Sequence, residues 1–330
     1  MRIGVIGAGI MGADHARILH RDVPNADVVM IADVFADRAE EVAASIPGAV
    51  ATEDAHAVIG SDDVDAVLVA SSDATHVEYV QACLALHKPV LCEKPLAPTA
   101  AECAAIVAAE DERVGDGVPL VSVGFMRRFD PGYVDLKALV DAGDLGVPLA
   151  VHSVGRGVSA PAGNDELSVT GSAIHDFDIV PWLLSSPVVE VSWLAPRQSP
   201  EVGDRQDPQF MLLRTADGAL VTVDIFLNAR YGYDTRCEIV GSMSSASLVE
   251  PHRVVRDEAL ARSRGYAADW RPRLAEAYRL QNRAWVESLV SGTASPLATA
   301  RDALQAALVA DAVIASMHGG GGFVPVAPAP

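Results

Sequence analysis

Three short stretches of this chain carry residue types at spacings suited to chemistry. Gly7-Ala8-Gly9-Ile10-Met11-Gly12 directly follows one apolar run and opens an amphipathic one. In a strand–turn–helix setting this G-x-G-x-x-G pattern is a dinucleotide-binding turn. Gly7 permits the tight turn, Gly9 lets the backbone approach a pyrophosphate, and Gly12 allows close packing of helix on strand. Ile10 and Met11 complete the turn, whose free N–H groups and helix dipole favour a phosphate. Asp33 ends the next apolar run, 21 residues beyond Gly12. A carboxylate there accepts from adenosine ribose hydroxyls and repels a 2′-phosphate, which favours NAD over NADP. Asp33 also stands where a cap for a helix at Ala36 would sit, and Arg38 lies one turn further on as a cation able to offset the preference.

The second stretch is Cys92-Glu93-Lys94-Pro95. A lysine before proline is by itself an ordinary surface group. At the carboxyl end of a parallel strand, however, it points into the crevice where nicotinamide would lie. Burial and a neighbouring pyridinium charge favour its neutral form there, making it usable as an acid or base. Ser71-Ser72 ends another strand on the same side, where ligands of such sheets collect. Ser71, Ser72, Glu93 and Lys94 are therefore expected to line the cofactor crevice. The third stretch is His175-Asp176-Phe177-Asp178, a polar cluster between apolar segments, with Asp178 one helical turn from His175. A lone helical histidine more often packs or faces solvent; joined to the other two stretches, this one reads as catalytic.

The elements that must position these groups come in two styles. Up to residue 123, strands at Ile3–Ile6, Asp27–Ala32, near Val50, Asp65–Ala70, Pro89–Glu93 and Leu120–Val123 alternate with helices at Met11–His20, Ala36–Ser45, Thr75–Leu86 and Thr99–Glu110. Thr75-x-x-Glu78 has the form of a capping box. Such alternation predicts α/β architecture, a doubly wound parallel sheet covered on both faces. Beyond Gly124 the rhythm changes. Helices are expected at Tyr133–Ala142 and Ser172–Leu184, strands at Leu149–Val154, Val188–Leu194, Phe210–Arg214, Ala219–Leu227 and Arg236–Val240, and closing helices at Leu274–Val290 and Leu297–Met317. Asp217-Gly218 is a hairpin signal. The second half thus reads as α+β with an open, mostly antiparallel sheet. The expected domains are 1–123, binding the dinucleotide, and 124–318, binding substrate and mediating assembly, with a Gly- and Pro-rich disordered tail at 319–330.

The chain has 330 residues, half of them apolar and 21% charged, with a formal net charge of −19. The acidity argues against nucleic acid and anionic membranes as partners. Cys83, Cys92, Cys103 and Cys237 fit neither paired metal-ligand spacing nor a disulfide scaffold and read as buried free thiols. No signal peptide or membrane-length apolar run is evident, so a cytoplasmic protein is expected.

The Glu-Lys-Pro signature, the glycine fingerprint and the two-part layout resemble the Gfo/Idh/MocA oxidoreductase family. Within it, Gly124-Phe125-Met126-Arg127-Arg128-Phe129-Asp130-Pro131-Gly132-Tyr133, Ser172-Ala173-Ile174-His175-Asp176-Phe177-Asp178 and Tyr231-Gly232-Tyr233-Asp234-Thr235-Arg236-Cys237-Glu238 look like the inositol 2-dehydrogenase branch. The resemblance implies NAD as cofactor, Lys94 and His175 as the catalytic pair, and a homotetramer formed through sheet faces. It implies that a cyclitol hydroxyl is oxidised to a ketone, with no metal required because Lys94 can neutralise the developing alkoxide. His175, Arg127 and Ser172 would then orient the substrate ring, and Met126 or Tyr233 would supply an apolar wall. Two positions depart from the branch. Gly171 replaces an aspartate four residues before the histidine, and Gly157 replaces an asparagine after Arg156. These departures keep a sugar or glycoside dehydrogenase of the same family open as the alternative. A non-catalytic NAD-binding sensor is a further alternative, which would not need Lys94 and His175 together.

Overall fold

A computed structural model describes residues 1–329 except 161–162, 201–202, 204 and 250–253. The chain forms two compact units: residues 1–126 with 277–304, and residues 127–276 with 305–328. Residues 277–304 therefore join the first unit, although strand–helix rhythm alone groups them with the second domain.

The first unit holds β1 (Arg2–Ile6), α1 (Ile10–Asp22), β2 (Asp27–Ala32), α2 (Ala36–Ala44), β3 (Val50–Thr52), α3 (Ala55–Gly60), β4 (Ala66–Val69), α4 (Asp73–Ala85), β5 (Val90–Cys92), α5 (Ala100–Val114) and β6 (Val121–Val123). These six strands pair in parallel in the order β6-β5-β4-β1-β2-β3. Every residue of β4 and β5 is buried, as a sheet covered by helices on both faces requires. The strand order turns back between β1 and β4, so the carboxyl ends of those strands leave a crevice. Helix α5 begins with a complete capping box between Thr99 and Glu102. The box expected at Thr75 and Glu78 does not form. α4 starts earlier, at Asp73, which leaves Thr75 inside the first turn with its hydroxyl donating to the Ser72 carbonyl at 2.8 Å, while Glu78 takes His56 at 2.7 Å.

The second unit contains a 3₁₀ turn (Met126–Phe129, from its second residue), α6 (Pro131–Asp141), β7 (Pro148–Arg156), the short α7 (Asp165–Ser168), a π-helical turn (Val169–Ala173) and α8 (Ile174–Leu184). β8 (Val188–Leu194), β9 (Gln209–Thr215), β10 (Leu220–Phe226), β11 (Asp234–Gly241), β12 (Ser245–Ser247) and the hairpin β13 (Arg256–Glu258) and β14 (Ala261–Ser263) follow. α9 (Trp270–Ser291) then leads to β15 (Ala298–Thr299), α10 (Ala300–His318) and β16 (Val324–Pro325). β15 pairs antiparallel with β6 and completes the first unit's sheet. The second sheet runs β12-β11-β7-β10-β9-β8-β16. Its pairs are antiparallel except β7 with β10, which run parallel in the register Val151↔Val221. Asp217-Gly218 makes the β9–β10 turn, with Gly218 at φ 89°. The tail is not the disordered segment its composition suggests. The Val326 amide bonds the Val189 carbonyl at 2.9 Å and β16 covers the edge of β8, so backbone pairing supplies the order that side chains do not. Pro330 lies outside the described residues.

Candidate functional site

In the first unit, the glycine turn is shaped by steric limits at each position. Gly7 adopts φ +96°, and a Cβ there would meet the Ala70 carbonyl oxygen at 2.4 Å. A Cβ on Gly12 would fall 1.8 Å from the Gly7 carbonyl oxygen, whereas one on Gly9 would meet nothing within 4 Å. The turn is thus closed on its protein side and open at Gly9. The first helical bond runs from the Ala13 amide to the Gly9 carbonyl at 2.9 Å, which leaves the N–H groups of Ile10, Met11 and Gly12 ahead of it. Ile10 is 58% exposed at this end. Gly7, Gly9, Asp33, Arg38, Ser71 and Ser72 line one cleft of about 370 Å³.

Asp33 is fixed from both sides. Its Oδ2 accepts the Ala8 amide at 2.7 Å and its Oδ1 the Phe35 amide at 2.9 Å. The carboxylate therefore ties the glycine turn to the end of β2 while presenting its charge to the cleft. The Arg38 guanidinium lies 4.4 Å from the centre of the Phe35 ring. The Ser71 and Thr75 hydroxyls share a hydrogen bond of 2.7 Å. An anion at the glycine turn and a diol at Asp33 are the ligand groups that this cleft can hold.

The Glu93-Lys94-Pro95 segment leaves β5 beside the same crevice, with a cis peptide between Lys94 and Pro95. Lys94 is half-buried. Glu93 is buried, its Oε1 2.7 Å from His15 Nε2 and its Oε2 accepting the Lys94 amide at 3.2 Å. Burial alone would push the Glu93 carboxyl up, but the hydrogen bond and charge of His15 and the charge of Lys94 bring it below the usual range. His76 is buried between the Pro95 carbonyl at 2.7 Å and the Ser71 carbonyl at 3.3 Å. Neither histidine stands out in the sequence by motif. Their signal is position: His15 shares the buried stripe of α1 with Gly12, Ala16 and Leu19, and His76 that of α4 with Val80, Cys83 and Leu84.

In the second unit, His175 sits in the first turn of α8, a buried helix that follows the π turn. Its neighbours are gripped by the 3₁₀ turn. Arg127 pairs with Asp176 at 2.7 Å, and Arg128 holds Asp178 through two bonds of 3.0 and 2.5 Å. The Ser153 hydroxyl on β7 donates to the same Asp176 oxygen at 2.6 Å. Arg128 thus engages both carboxylate oxygens of Asp178. Arg127, expected to orient substrate, is only 4% exposed and committed to Asp176, which makes it a brace for the helix that carries His175. Burial works against its charge, yet Asp176 beside it drives the guanidinium pKa upward. Ser172, within the π turn, and Tyr233, beside β11, are half-buried; Met126 is buried and belongs to the first unit.

The two glycines that depart from the inositol dehydrogenase pattern differ physically. A Cβ on Gly171 meets nothing within 4 Å, whereas one on Gly157 would lie 2.6 Å from the Leu227 carbonyl oxygen. The backbone path after β7 therefore requires glycine at 157, while position 171 has room for a side chain.

Residues 1–117 match the oxidoreductase family with the NAD-binding Rossmann fold, and residues 133–247 match the GFO/IDH/MocA C-terminal domain. The chain is 51% identical over 324 residues to inositol 2-dehydrogenase 2 of Paenarthrobacter aurescens, covering 97% of each chain. It is 45% identical to inositol 2-dehydrogenase 1 of Saccharopolyspora erythraea, covering 97% of this chain and 95% of that one. Among solved structures, myo-inositol dehydrogenase from Lactobacillus casei in complex with NAD(H) and myo-inositol superposes with a TM-score of 0.93 at 28% identity, covering 100% of this chain and 98% of that chain. With a glycine turn and an Asp33 cleft of the geometry described, this chain belongs to the Gfo/Idh/MocA family of NAD-binding oxidoreductases.

Proposed function

We propose that this protein oxidises a secondary hydroxyl of an inositol ring to a ketone, with NAD⁺ as hydride acceptor. The full-length 51% identity to an inositol 2-dehydrogenase carries the reading. When bound, the nicotinamide supplies the hydride-accepting carbon. Gly9 and the free amides at the start of α1 hold the pyrophosphate, and Asp33 takes the adenosine ribose hydroxyls. Lys94 accepts the proton of the reacting hydroxyl and opposes the alkoxide charge as the hydride leaves. His175 shares that proton transfer and, with Ser172, orients the ring. Met126 and Tyr233 supply apolar surface, Glu93, Ser71 and Ser72 support the cofactor, and Arg127 braces α8.

The reaction is followed as NADH absorbance with a panel of myo-inositol, scyllo-inositol, glucose and a simple glucoside, alongside Lys94→Ala. Turnover of an inositol by the wild type, with kcat lowered about 10²–10⁴-fold in Lys94→Ala and NAD⁺ binding intact, supports the reading. Absence of turnover on every inositol refutes it. The open space at Gly171 favours one second reading, a larger sugar or glycoside as substrate. The same panel decides between the two.

Assembly as a homotetramer fits the half-exposed face of the second sheet, where Phe210 and Asp224, and Leu212 and Thr222, stand opposite each other. Sedimentation equilibrium measures it. A cytoplasmic setting suits four buried cysteine thiols, of which Cys83 and Cys237 are pushed up to about 12 by burial. Among the described residues, no helix is long and apolar enough to cross a membrane.

A further inference from the structure

Behind Lys94 lies a buried polar chain that the proposed chemistry does not use. Asn282 of α9, His15 of α1 and Glu93 are linked in series, although Asn282 is 267 positions from His15 in sequence. Asn282 is fully buried, His15 is 1% exposed and the Glu93 side chain 9% exposed. Three polar side chains removed from water are costly unless each is bonded. The bonding here has a direction. The Asn282 amide nitrogen lies 2.9 Å from His15 Nδ1 and its amide oxygen 3.2 Å, so the amide can meet Nδ1 either as donor or as acceptor. An ionised carboxylate can only accept, so the His15 Nε2–H points at Glu93 Oε1, 2.7 Å away. The other Glu93 oxygen accepts the Lys94 amide.

Asn282 thus holds the His15 ring from its Nδ1 side, and both the His15 ring and the Lys94 backbone donate to one carboxylate. The Tyr278 and His15 rings meet nearly at right angles, with centroids 5.6 Å apart. Gly124 leaves the room the carboxylate needs, because a Cβ there would come within 3.0 Å of Glu93 Oε1. The bonds of this chain run from Asn282 through His15 to Glu93 and end on the Lys94 amide, so they bear first on the lysine.

We propose that His15, oriented by Asn282, is a positioning residue for Lys94 that acts through Glu93. It holds the Glu93 carboxylate in place to accept the Lys94 backbone amide and to set a negative charge close to the lysine. This inference rests on the reading of Lys94 as the acid/base group. Second-sphere groups of this kind typically matter by 10–100-fold in metal sites, and a similar size is expected here.

The test compares His15→Leu, His15→Gln, Asn282→Leu and Lys94→Ala with the wild type. The readouts are kcat and KM for the inositol that the wild type turns over, NAD⁺ dissociation constants from fluorescence quenching, and thermal unfolding. His15→Leu is expected to lower kcat about 10–100-fold with the NAD⁺ Kd within about threefold of wild type. Asn282→Leu should lower kcat less. His15→Gln, which keeps a donor toward Glu93, should recover most of the loss. If folded His15→Leu and Asn282→Leu both turn over at the wild-type rate while Lys94→Ala is impaired, the inference is wrong and the Lys94 reading stands. An equal loss in His15→Gln and His15→Leu, or a loss accompanied by weakened NAD⁺ binding, also overturns it. A fully active Lys94→Ala instead removes the underlying reading. If His15→Leu does not fold, the kcat-to-Kd split in Asn282→Leu and His15→Gln decides the question.

Discussion

The most informative single substitution is Asp33→Ser, because the carboxylate has two separable jobs. Its charge faces the cleft that would receive a ribose, and its oxygens accept the Ala8 and Phe35 amides at 2.7 and 2.9 Å. A 2′-phosphate about 4 Å from this charge meets a repulsion of about 1 kcal/mol in water and about 4 kcal/mol at an effective dielectric near 20. At about 1.4 kcal/mol per tenfold, the wild type should prefer NAD⁺ over NADP⁺ by at least about tenfold in kcat/KM. Serine removes the repulsion, and the exposed Arg38 then faces the phosphate unopposed, so the ratio should fall at least about tenfold. Serine also gives up charged acceptance from two backbone donors, each such bond being worth about 1.5–3 kcal/mol, and its hydroxyl restores only part of one. The variant should therefore lose kcat/KM with NAD⁺ and melt at a lower temperature, even as selectivity relaxes. Initial rates over a concentration series of each cofactor, with differential scanning fluorimetry, measure both effects. A wild type indifferent between the cofactors, or a mutant with unchanged selectivity, would refute the assignment of Asp33 and show that Arg38 governs the choice.

Three other outcomes are expected. Gly171→Asp should shift kcat/KM toward myo-inositol relative to glucose and a glucoside, because the space is open and a buried acceptor is worth about 1–3 kcal/mol; no gain, with the wild type already best on myo-inositol, counts against the larger-substrate reading. Gly12→Ala should abolish saturable NAD⁺ binding and lower Tm, since its Cβ would lie 1.8 Å from the Gly7 carbonyl oxygen; retained affinity by calorimetry would contradict the packing. Burial would raise the Asp234 carboxyl, but hydrogen bonds from Arg236 and Tyr231 hold it below its ordinary 3.8. Its stabilisation is therefore present above that value and lost as pH falls through the depressed one, so Asp234→Asn should lower Tm at pH 7 and the gap should close below about pH 4. An equal gap at both pH values would rule out the charge as its source.

The parts of this molecule legible in its sequence are those governed by local spacing. The glycines, Asp33 and the strands behind them follow from a fingerprint and from apolar runs, as does the Asp217-Gly218 turn. What escaped depends on partners far along the chain. Nothing near Val151 or Val221 announces that β7 and β10 run parallel, since pairing direction is set by the intervening connection. Thr75 and Glu78 have the letters of a cap, but the helix had already begun. Arg127 reads as a substrate-facing cation until Asp176 is brought beside it by folding. His15 and Asn282 are two ordinary polar residues until a distance of 267 positions collapses to a hydrogen bond.

That the first unit draws on residues 277–304 as well as 1–126 bears on how it is made. A ribosome finishes β1 to β6 early, but β15 and the asparagine that orients His15 emerge only after residues 127–276 have been translated. At about 5–20 residues per second, that leaves the N-terminal sheet waiting for roughly 8–30 s with the open side of β6 unpaired. During that interval β6 is a bare strand edge in a crowded compartment, the kind of surface that recruits neighbouring chains. Stop codons or slow codons placed before Ala298 should therefore raise the yield of aggregate rather than of a smaller soluble NAD-binding fragment.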